Sequence, residues 1–508
     1  MTATDHCCET KADQTRLSTR RLAAAVMVMT LLLPVVIAIT IFPTPMGDLR
    51  EQIAWGREFP LVTPHHPPLM VWLSGVVDHF FGPVIVPQIV AGQLLFLVGA
   101  LYLYAVLRLV TEPDNAFLFA FLYTTGFFVI LGPSSWVMNA DTLQITSWPP
   151  IVYHFLRAAR SDRWRHWLML GAWAALAVLT KYTAVVLGAG MGVAILALPE
   201  FRTVLRRPGL YMAVIVTVAL VSPHLLALVQ SPAAIKFGLA NFVPGQSLGV
   251  KLWSLVQLAK GYMMLLAPAW FIVGVGWWRG DLAWRRPAAV AAPWPGALRF
   301  VLIVNGTIMV VLVAMIMIGN LVYKYRFGAP FAAVAIMGLA PLLGWNAGRS
   351  TAGERRIVRA VGYFNPALVA VMTIMYLGLT SHSMMQEPYH EPTRAILADW
   401  HGRYACGPAY VIGHHYAAPL IGIHAGPQTT ALDTEDIAAA QWFDPARLRA
   451  QGAVVIAYSP ISQAATRAVL PDVTLSDEKT LTCPLLRTFS RKTITYHYRF
   501  IAPQSCPD

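Results

Sequence analysis

The sequence predicts an α-helical membrane protein with many spans, followed by a smaller α/β domain outside the membrane. The composition excludes an ordinary soluble globule, because 56% of the 508 residues are hydrophobic and only 12% are charged, against about 25% in soluble domains. The mean hydropathy is +0.55. Long apolar runs recur from residue 22 to residue 379 and then stop, so the membrane part precedes the soluble part along the chain.

The apolar runs predict about eleven membrane helices, since a helix needs about 20 residues to cross roughly 30 Å of hydrocarbon. The runs are residues 22–42, 84–110, 116–131, 142–156, 167–180, 183–198, 210–229, 252–275, 300–318, 329–344 and 361–379. The four runs between residues 116 and 198 are short, and Pro149 and Pro150 interrupt one of them. This region is therefore expected to contain broken or steeply tilted helices.

Basic residues between the runs predict the orientation. Lysine and arginine gather in five clusters, at residues 11–21, 157–165, 202–207, 279–286 and 349–359. With about eleven spans all five clusters fall on one side, which the positive-inside rule makes cytoplasmic. The sequence therefore predicts a cytoplasmic tail over residues 1–21, a transmembrane domain over 22–380 and a soluble periplasmic domain over 381–508. The first run is interpreted as an uncleaved anchor, because no small-residue cleavage site follows it.

After residue 380, short strand-like and helix-like pieces replace the long apolar runs. The strand-like pieces are residues 409–412, 453–458 and 493–500, and the helix-like pieces are 393–400 and 445–451. This alternation is typical of a small α/β domain. The cysteines fit no zinc pattern. Cys406 could form a disulfide with Cys483 or Cys506 in an oxidising compartment, and unpaired, buried cysteines are the equal alternative.

Charged residues follow the first run almost directly, in an outer loop predicted over residues 43–83. Asp48, Arg50 and Glu51 lie within one helical turn of each other. A carboxylate near an interface can be held ionised by a neighbouring arginine, or partial burial can raise its pKa so that it acts as a general base. A solvated ion pair in a loop is the alternative.

A pair of histidines precedes two prolines in the same loop. His65 and His66 come before Pro67 and Pro68, and each proline restricts its own backbone and that of the residue before it. The sequence therefore predicts a rigid, extended segment that leads into a helix beginning near Leu69. The histidines could donate to a phosphate or bind a metal ion, or they could simply lie at the interface.

Other polar residues occur at the predicted outer ends of later runs. Asp141 stands where a helix begins, so it is either a cap favoured by the helix dipole or a second active-site carboxylate. Lys181 and Tyr182 interrupt one apolar stretch, and the segment 323–326, Tyr-Lys-Tyr-Arg, follows another. Cations beside tyrosines are common membrane anchors. They also suit a phosphate leaving group, because they stabilise the charge that develops on its oxygens.

Five motifs therefore occur in order on the predicted outer side. They are the acid Asp48, H-P-P-L-x-x-W-L at 66–73, N-A-D-T-L at 139–143, G-x-x-x-x-L-A-V-L-T-K-Y-T at 171–183 and Y-K-Y-R-F-x-x-P at 323–330. Over residues 22–379 the chain resembles the GT-C membrane glycosyltransferases of the family 39 type. That group includes protein O-mannosyltransferases and the bacterial transferases that add aminoarabinose or other sugars to lipid A.

The resemblance implies a GT-C-like fold of many membrane helices, a catalytic aspartate in the first outer loop and a polyprenyl-phosphate-linked sugar as donor. With the residue chemistry, it assigns catalytic Asp48 and Asp141, phosphate-binding Lys181, Lys324, Arg326 and His66, and supporting Glu51, His65 and Tyr325. The chain departs from the family in two places. Leu49 stands where a second acid is usual, which leaves that role unfilled or passes it to Glu51, and His66 stands where many members have lysine.

These features predict an inverting glycosyltransferase that moves a sugar from a polyprenyl-phosphate donor to lipid A, another envelope glycan or lipid, or a protein. The site would lie at the outer face of the cell inner membrane. Two other classes stay open: a flippase or transporter of polyprenyl-linked lipids, which would typically show inverted repeats, and a noncatalytic envelope-assembly protein. No cofactor is assigned, and a divalent cation stays open. The net charge of +13 is spread over short loops, so no nucleic-acid partner is expected.

Overall fold

A computed structural model describes most of the chain. The described residues are 3–125, 138–265, 267–285, 292–345, 350–379, 384–434, 437, 440–471, 473–486 and 492–506. Within them the N-terminal part is helical, with two short strands that pair antiparallel, β1 (Leu282–Trp284) and β2 (Leu343–Trp345). Its helices are α1 (Ala3–Thr40), α2 (Gly47–Gly56), α3 (Leu69–Phe81), α4 (Ile85–Val110), α5 (Pro113–Thr124), α6 (Ala140–Ser161), α7 (Trp164–Thr180), α8 (Ala184–Ala197), α9 (Pro199–Arg202), α10 (Pro208–Val229), α11 (Pro232–Gly238), α12 (Leu248–Leu265), α13 (Ala267–Trp278), α14 (Pro295–Met317), α15 (Ala329–Leu339) and α16 (Ser350–Leu379).

Each predicted apolar run overlaps a helix, and the run 252–275 covers two, α12 and α13. The end of the run 116–131 lies outside the described residues. By length and composition, four described helical segments can cross a membrane, and a bent pair makes a fifth. The four are Gln14–Thr40, Ile85–Val110, Pro208–Val229 and Pro295–Met317. The chain is therefore a multi-pass α-helical membrane protein, in which shorter and more polar helices pack among the long apolar ones.

The two adjacent prolines do not break their helix, because α6 runs through Pro149 and Pro150 for 22 residues. Proline lacks the N–H that would bond the carbonyl four residues earlier, so the Ile145 and Thr146 carbonyls lose their usual partners. Helix α4 packs closely on this turn, since a Cβ on Gly99 would lie 2.7 Å from Thr146 Cα and 3.0 Å from the Ile145 oxygen. A bend of 107° follows at the end of the region, between α8 and the segment Pro199–Arg206.

The C-terminal part is an α/β domain, as predicted. A five-stranded sheet has the order β4-β3-β5-β7-β6, in which β3 is parallel to β4 and β5, and β7 is antiparallel to β5 and β6. The central strands are apolar and buried because separate hydrophobic clusters cover the two faces of the sheet. Its elements are α17 (His390–His401), β3 (Tyr410–Gly413), α18 (Ala417–Ala425), β4 (Thr430–Asp433), α19 (Pro445–Gln451), β5 (Ala453–Ala457), α20 (Gln463–Val469), β6 (Lys479–Pro484) and β7 (Thr493–Ile501).

The structure decides between the cysteine pairings that the sequence left open. Cys406 forms a disulfide with Cys506, 100 residues along the chain. Cys483 is a buried free cysteine on β6, where its side chain belongs to the core on one face of the sheet. The disulfide therefore joins the segment before β3 to the segment after β7 and closes the ends of the sheet domain together.

Candidate active site in the first outer loop and the helix ends beside it

The segment 43–83, which the sequence predicts to be the first outer loop, folds into two helices that pack tightly against each other. α2 and α3 meet at Gly56 and Gly75, where a Cβ on Gly75 would lie 2.3 Å from the Gly56 carbonyl oxygen. Nine of the ten residues of α2 are buried, and Asp48 in its first turn is the exposed one. An acid in this turn is favoured by the helix dipole. The helix therefore holds Asp48 in a fixed position where solvent and substrates can reach it.

Arg50, two residues after Asp48, points into the contact with the C-terminal domain. Its buried guanidinium donates to the Glu387 carboxylate at 2.7 Å, to the Pro45 carbonyl at 2.7 Å and to the Tyr416 carbonyl at 3.0 Å. The idea that the neighbouring arginine holds Asp48 ionised is not what the structure shows. Arg50 instead joins the first outer loop to the domain that follows the last membrane helix.

Arg50 stays charged inside this contact. Burial alone would lower the pKa of Arg50, but the Glu387 carboxylate beside it raises that pKa above its ordinary value. The Tyr458 hydroxyl donates to the same carboxylate at 2.8 Å. A buried ion pair needs such additional hydrogen bonds to offset the loss of water. Arg50, Glu387 and Tyr458 therefore form one hydrogen-bonded charged cluster between α2 and the C-terminal domain.

Two further contacts hold the C-terminal domain on α2, one beside Asp48 and one at the opposite end of the helix. A Cβ on Gly47 would lie 2.4 Å from Cε1 of Tyr416, so the tyrosine ring rests on the residue that precedes Asp48. The Thr430 hydroxyl donates to Glu58 at 2.7 Å, just beyond the end of α2. The C-terminal domain thus forms a wall next to the exposed carboxylate.

Two of the supporting residues meet each other in the first outer loop. His65 Nδ1 lies 3.1 Å from a carboxylate oxygen of Glu51, and the His65 ring packs with its edge on Trp55 at a centroid distance of 5.4 Å. His66 is half-buried, and its carbonyl accepts a hydrogen bond from the Thr63 hydroxyl. The segment before the two prolines is therefore fixed to α2 by a histidine–carboxylate contact and by its own backbone.

Asp141 and Lys181 form a second pair, at the start of α6 and the end of α7. Asn139 caps α6, because its side-chain oxygen accepts from the backbone N–H groups of Asp141 and Thr142, both at 2.9 Å. The cap is therefore Asn139, and the Asp141 carboxylate turns to Lys181 Nζ at 2.7 Å. The two side chains are 20% and 15% exposed, so the pair is reachable from outside. Lys181 Nζ also lies 5.0 Å from the centre of the Phe327 ring.

The Tyr-Lys-Tyr-Arg segment lies next to this pair. Tyr323 is 2% exposed, and its hydroxyl finds no hydrogen-bond partner among the described residues. Burial raises the pKa of Tyr323, and the nearby Tyr262 and Asp141 raise it further. Lys324 is exposed, and Tyr325 is half-exposed with Lys260 Nζ 4.9 Å from its ring centre.

The side chain of Arg326 lies outside the described part of the chain, so its assignment comes from the sequence. Sequence reasoning selected Tyr325 as a supporting residue and passed over Tyr323, although both belong to the same motif. Membership of this motif was the signal by which the sequence could have identified Tyr323 as a candidate site residue. Its burial beside the Asp141 carboxylate became visible only in the folded chain.

Among the described residues, no three His, Cys, Asp or Glu side chains lie together in a way that could hold a metal ion. The Glu51–His65 contact supplies two adjacent side chains of the right chemistry. The Asp141 carboxylate contacts Lys181 Nζ at 2.7 Å. A cation in this region would therefore need ligands from water or substrate in addition to these side chains.

Comparisons with known proteins give a partial family match and a fold. Residues 65–226 match the family model described as dolichyl-phosphate-mannose-protein mannosyltransferase. The crystal structure of ArnT from Cupriavidus metallidurans in the apo state is similar at 13% identity and a TM-score of 0.57, and the likeness covers 93% of this chain and 97% of that chain. A search of curated protein sequences found no match. The ArnT likeness shows the fold over nearly the whole chain, including the C-terminal domain.

Structures of the Archaeoglobus fulgidus oligosaccharyltransferase are more distant. The complex with Zn and sulfate has a TM-score of 0.43 at 13% identity and covers 80% of this chain and 62% of that chain. The archaeal oligosaccharyltransferase AglB with an inhibitory peptide and a dolichol-phosphate has a TM-score of 0.39 at 14% identity and covers 81% of this chain and 64% of that chain.

Proposed function

We propose that this chain is a GT-C glycosyltransferase that transfers a sugar from a polyprenyl-phosphate donor to an acceptor hydroxyl group. The match of residues 65–226 to the mannosyltransferase family model and the ArnT-like fold support this proposal. The acceptor is lipid A, another envelope glycan or lipid, or a protein. One observation carries the proposal: α2 is buried at every residue except Asp48. A rigid, buried helix that presents one carboxylate is what a positioned general base requires, whereas an ion pair in a solvated loop requires no such support.

The proposed reaction is an inverting displacement. The acceptor oxygen forms a bond to the anomeric carbon, the bond from that carbon to the donor phosphate breaks, and Asp48 accepts the proton of the acceptor hydroxyl. The leaving group is the polyprenyl phosphate. Asp141, fixed by its contact with Lys181, orients the sugar or a cation, and Glu51 with His65 supports the loop that carries Asp48.

The donor phosphate is assigned to Lys181 of the second pair and to Lys324, Arg326 and His66. Lys324 is exposed and Lys181 is partly exposed, so both ammonium groups can reach a lipid headgroup at the ends of the helices. Arg326 and His66 complete the assignment on the grounds of sequence. Preplaced cations stabilise the charge on phosphate oxygens as the bond to the sugar breaks. The apolar helices around them suit the polyprenyl tail.

The transfer site is proposed to lie at the periplasmic face of the inner membrane. Residues 1–21 would then lie in the cytoplasm, 22–380 in the membrane and 381–508 in the periplasm. The five basic clusters support this orientation. The Cys406–Cys506 disulfide supports an oxidising compartment for the C-terminal domain. A reporter fused after Thr380 that is active only in the cytoplasm would overturn the orientation.

The proposed activity is tested by mass spectrometry of the envelope lipids, glycans and proteins of three strains. One strain makes the native protein, one makes the Asp48→Asn variant and one lacks the protein. We expect a sugar modification in the first strain alone, together with accumulation of the unused polyprenyl-phosphate sugar in the other two. Identical envelopes in all three would count against a transferase. A modification that persists with Asp48→Asn and disappears without the protein would favour the flippase or assembly role.

Phosphate binding can be separated from base chemistry. Lys324→Ala and Arg326→Ala are each expected to weaken donor binding as well as slow transfer, because a phosphate contacts cations in both the ground state and the transition state. Asp48→Asn is expected to leave donor binding intact. Arg326→Lys is also expected to be costly if the contact is bidentate, since an ammonium group lacks the planar fork.

The measurement is binding of a labelled polyprenyl-phosphate analogue to each variant in nanodiscs. Lys492→Ala is the control for net charge, because it removes a lysine of the C-terminal domain that is not assigned to the phosphate. This variant is expected to bind the analogue normally. Unchanged affinity in both Lys324→Ala and Arg326→Ala would place the phosphate elsewhere and return these residues to the role of interfacial anchors.

A further inference from the structure

A groove between α1 and α16 plays no part in the proposed reaction. It has a volume of about 500 Å³ and runs beside the middle of α1. Leu22, Ala25 and Met29 of α1 form its apolar side, and Arg355 and Arg359 of α16 form its charged end. The groove therefore combines a hydrocarbon-like wall with two positive charges.

The two arginines are available to a ligand. They lie four residues apart on one helix, so their side chains share one face. Within the described residues neither of them takes part in an ion pair, whereas Arg356 between them pairs with Asp281 at 2.6 Å. Among the described residues, no carboxylate forms an ion pair with Arg355 or Arg359, whereas Asp281 forms one with Arg356.

The groove lies at the depth where a membrane changes from headgroups to acyl chains. The segment Gln14–Thr40 of α1 is long and apolar enough to cross a membrane, and its apolar run begins at Leu22. Farther along the same helix, Val28 and Leu32 are 52% and 55% exposed, as expected of a surface that faces lipid. The arginines therefore lie level with the start of the apolar run, where long cationic side chains reach the interface.

We infer that this groove binds an anionic phospholipid of the leaflet on the side of the N-terminus. The guanidinium groups hold the lipid phosphate by charge-assisted hydrogen bonds, and one acyl chain lies along the apolar side. Basic pockets between membrane helices are known to bind acidic lipid headgroups. A smaller groove of about 240 Å³ on another face of α1 also ends at an arginine, but there Arg20 is paired with Asp114 at 3.7 Å.

The test is native mass spectrometry of the full chain from nanodiscs that contain phosphatidylcholine and phosphatidylglycerol in equal amounts. We expect the native protein to retain one phosphatidylglycerol in preference to phosphatidylcholine. A basic residue near an anionic lipid contributes about fivefold in binding, so Arg355→Gln with Arg359→Gln should lower the preference about thirtyfold. Ala25→Phe, which fills the apolar side and keeps both charges, should also release the lipid.

The matched control is Arg165→Gln with Arg206→Gln, which removes two exposed arginines that lie away from the groove. This variant has the same net charge as the groove variant and is expected to retain the lipid. Equal losses in the two double variants would show attraction to the basic surface as a whole and overturn the site. Retention of phosphatidylglycerol by Ala25→Phe, or the absence of any preference in the native protein, would overturn it as well.

Discussion

Changing Asp48 to asparagine is expected to lower the rate of sugar transfer by about 10² to 10⁴, because an amide cannot accept the proton of the acceptor hydroxyl. The substitution is nearly isosteric and lies at the exposed position of α2. Exposed substitutions of this kind usually change stability by less than about 0.5 kcal/mol. The measurement is turnover of the purified variant in nanodiscs, with the donor and acceptor that mass spectrometry of the envelope identifies.

Asp162→Asn is the control for the loss of one carboxylate. The Asp162 side chain is 52% exposed after the end of α6, and its backbone φ of 50° is one that asparagine tolerates. This variant is expected to keep the native rate. Near-normal turnover by Asp48→Asn would rule out the general-base role. A loss of turnover accompanied by a lower unfolding temperature would assign Asp48 to structure instead.

Removing one partner of the Arg50–Glu387 pair is expected to destabilise the protein by about 3–5 kcal/mol, because it leaves the other charge buried and uncompensated. Both side chains are 0% exposed. Glu387→Gln is the sharper change, since it keeps the shape and a hydrogen-bonding group for Tyr458 but removes the charge that opposes Arg50. The expected signs are a lower unfolding temperature in detergent and faster proteolysis at the junction with the C-terminal domain.

Removing both charges is expected to cost less than removing one. Arg50→Met combined with Glu387→Leu should recover part of the lost stability, since a buried ion pair replaced by apolar groups of similar size is often neutral. Glu200→Gln is the control: it breaks an ion pair with Arg299 in which the side chains are 36% and 62% exposed, and such pairs contribute about 0–1 kcal/mol. If Glu387→Gln costs no more than Glu200→Gln, the cluster does not hold the domain on α2.

Local patterns in the sequence determined the class of this protein and its elements. Every predicted apolar run overlaps a helix, and the strand-like pieces 409–412, 453–458 and 493–500 overlap β3, β5 and β7. The reason is that the length of an apolar run decides whether a segment can lie in hydrocarbon, and its periodicity decides which element buries it. The adjacent prolines were the exception, because the close packing of α4 at Gly99 supports α6 where the prolines remove hydrogen bonds.

The motifs of the sequence also located the candidate site, but its connections were decided only by the tertiary structure. Arg50 pairs with Glu387, 337 residues away, and Lys181 pairs with Asp141, 40 residues away. The sequence offered Asp48 as a partner for Arg50 and offered no partner for Lys181. A charge chooses its partner by where helix packing buries it and which lone pairs remain unsatisfied there. That information lies in contacts between distant segments, which a one-dimensional pattern does not contain.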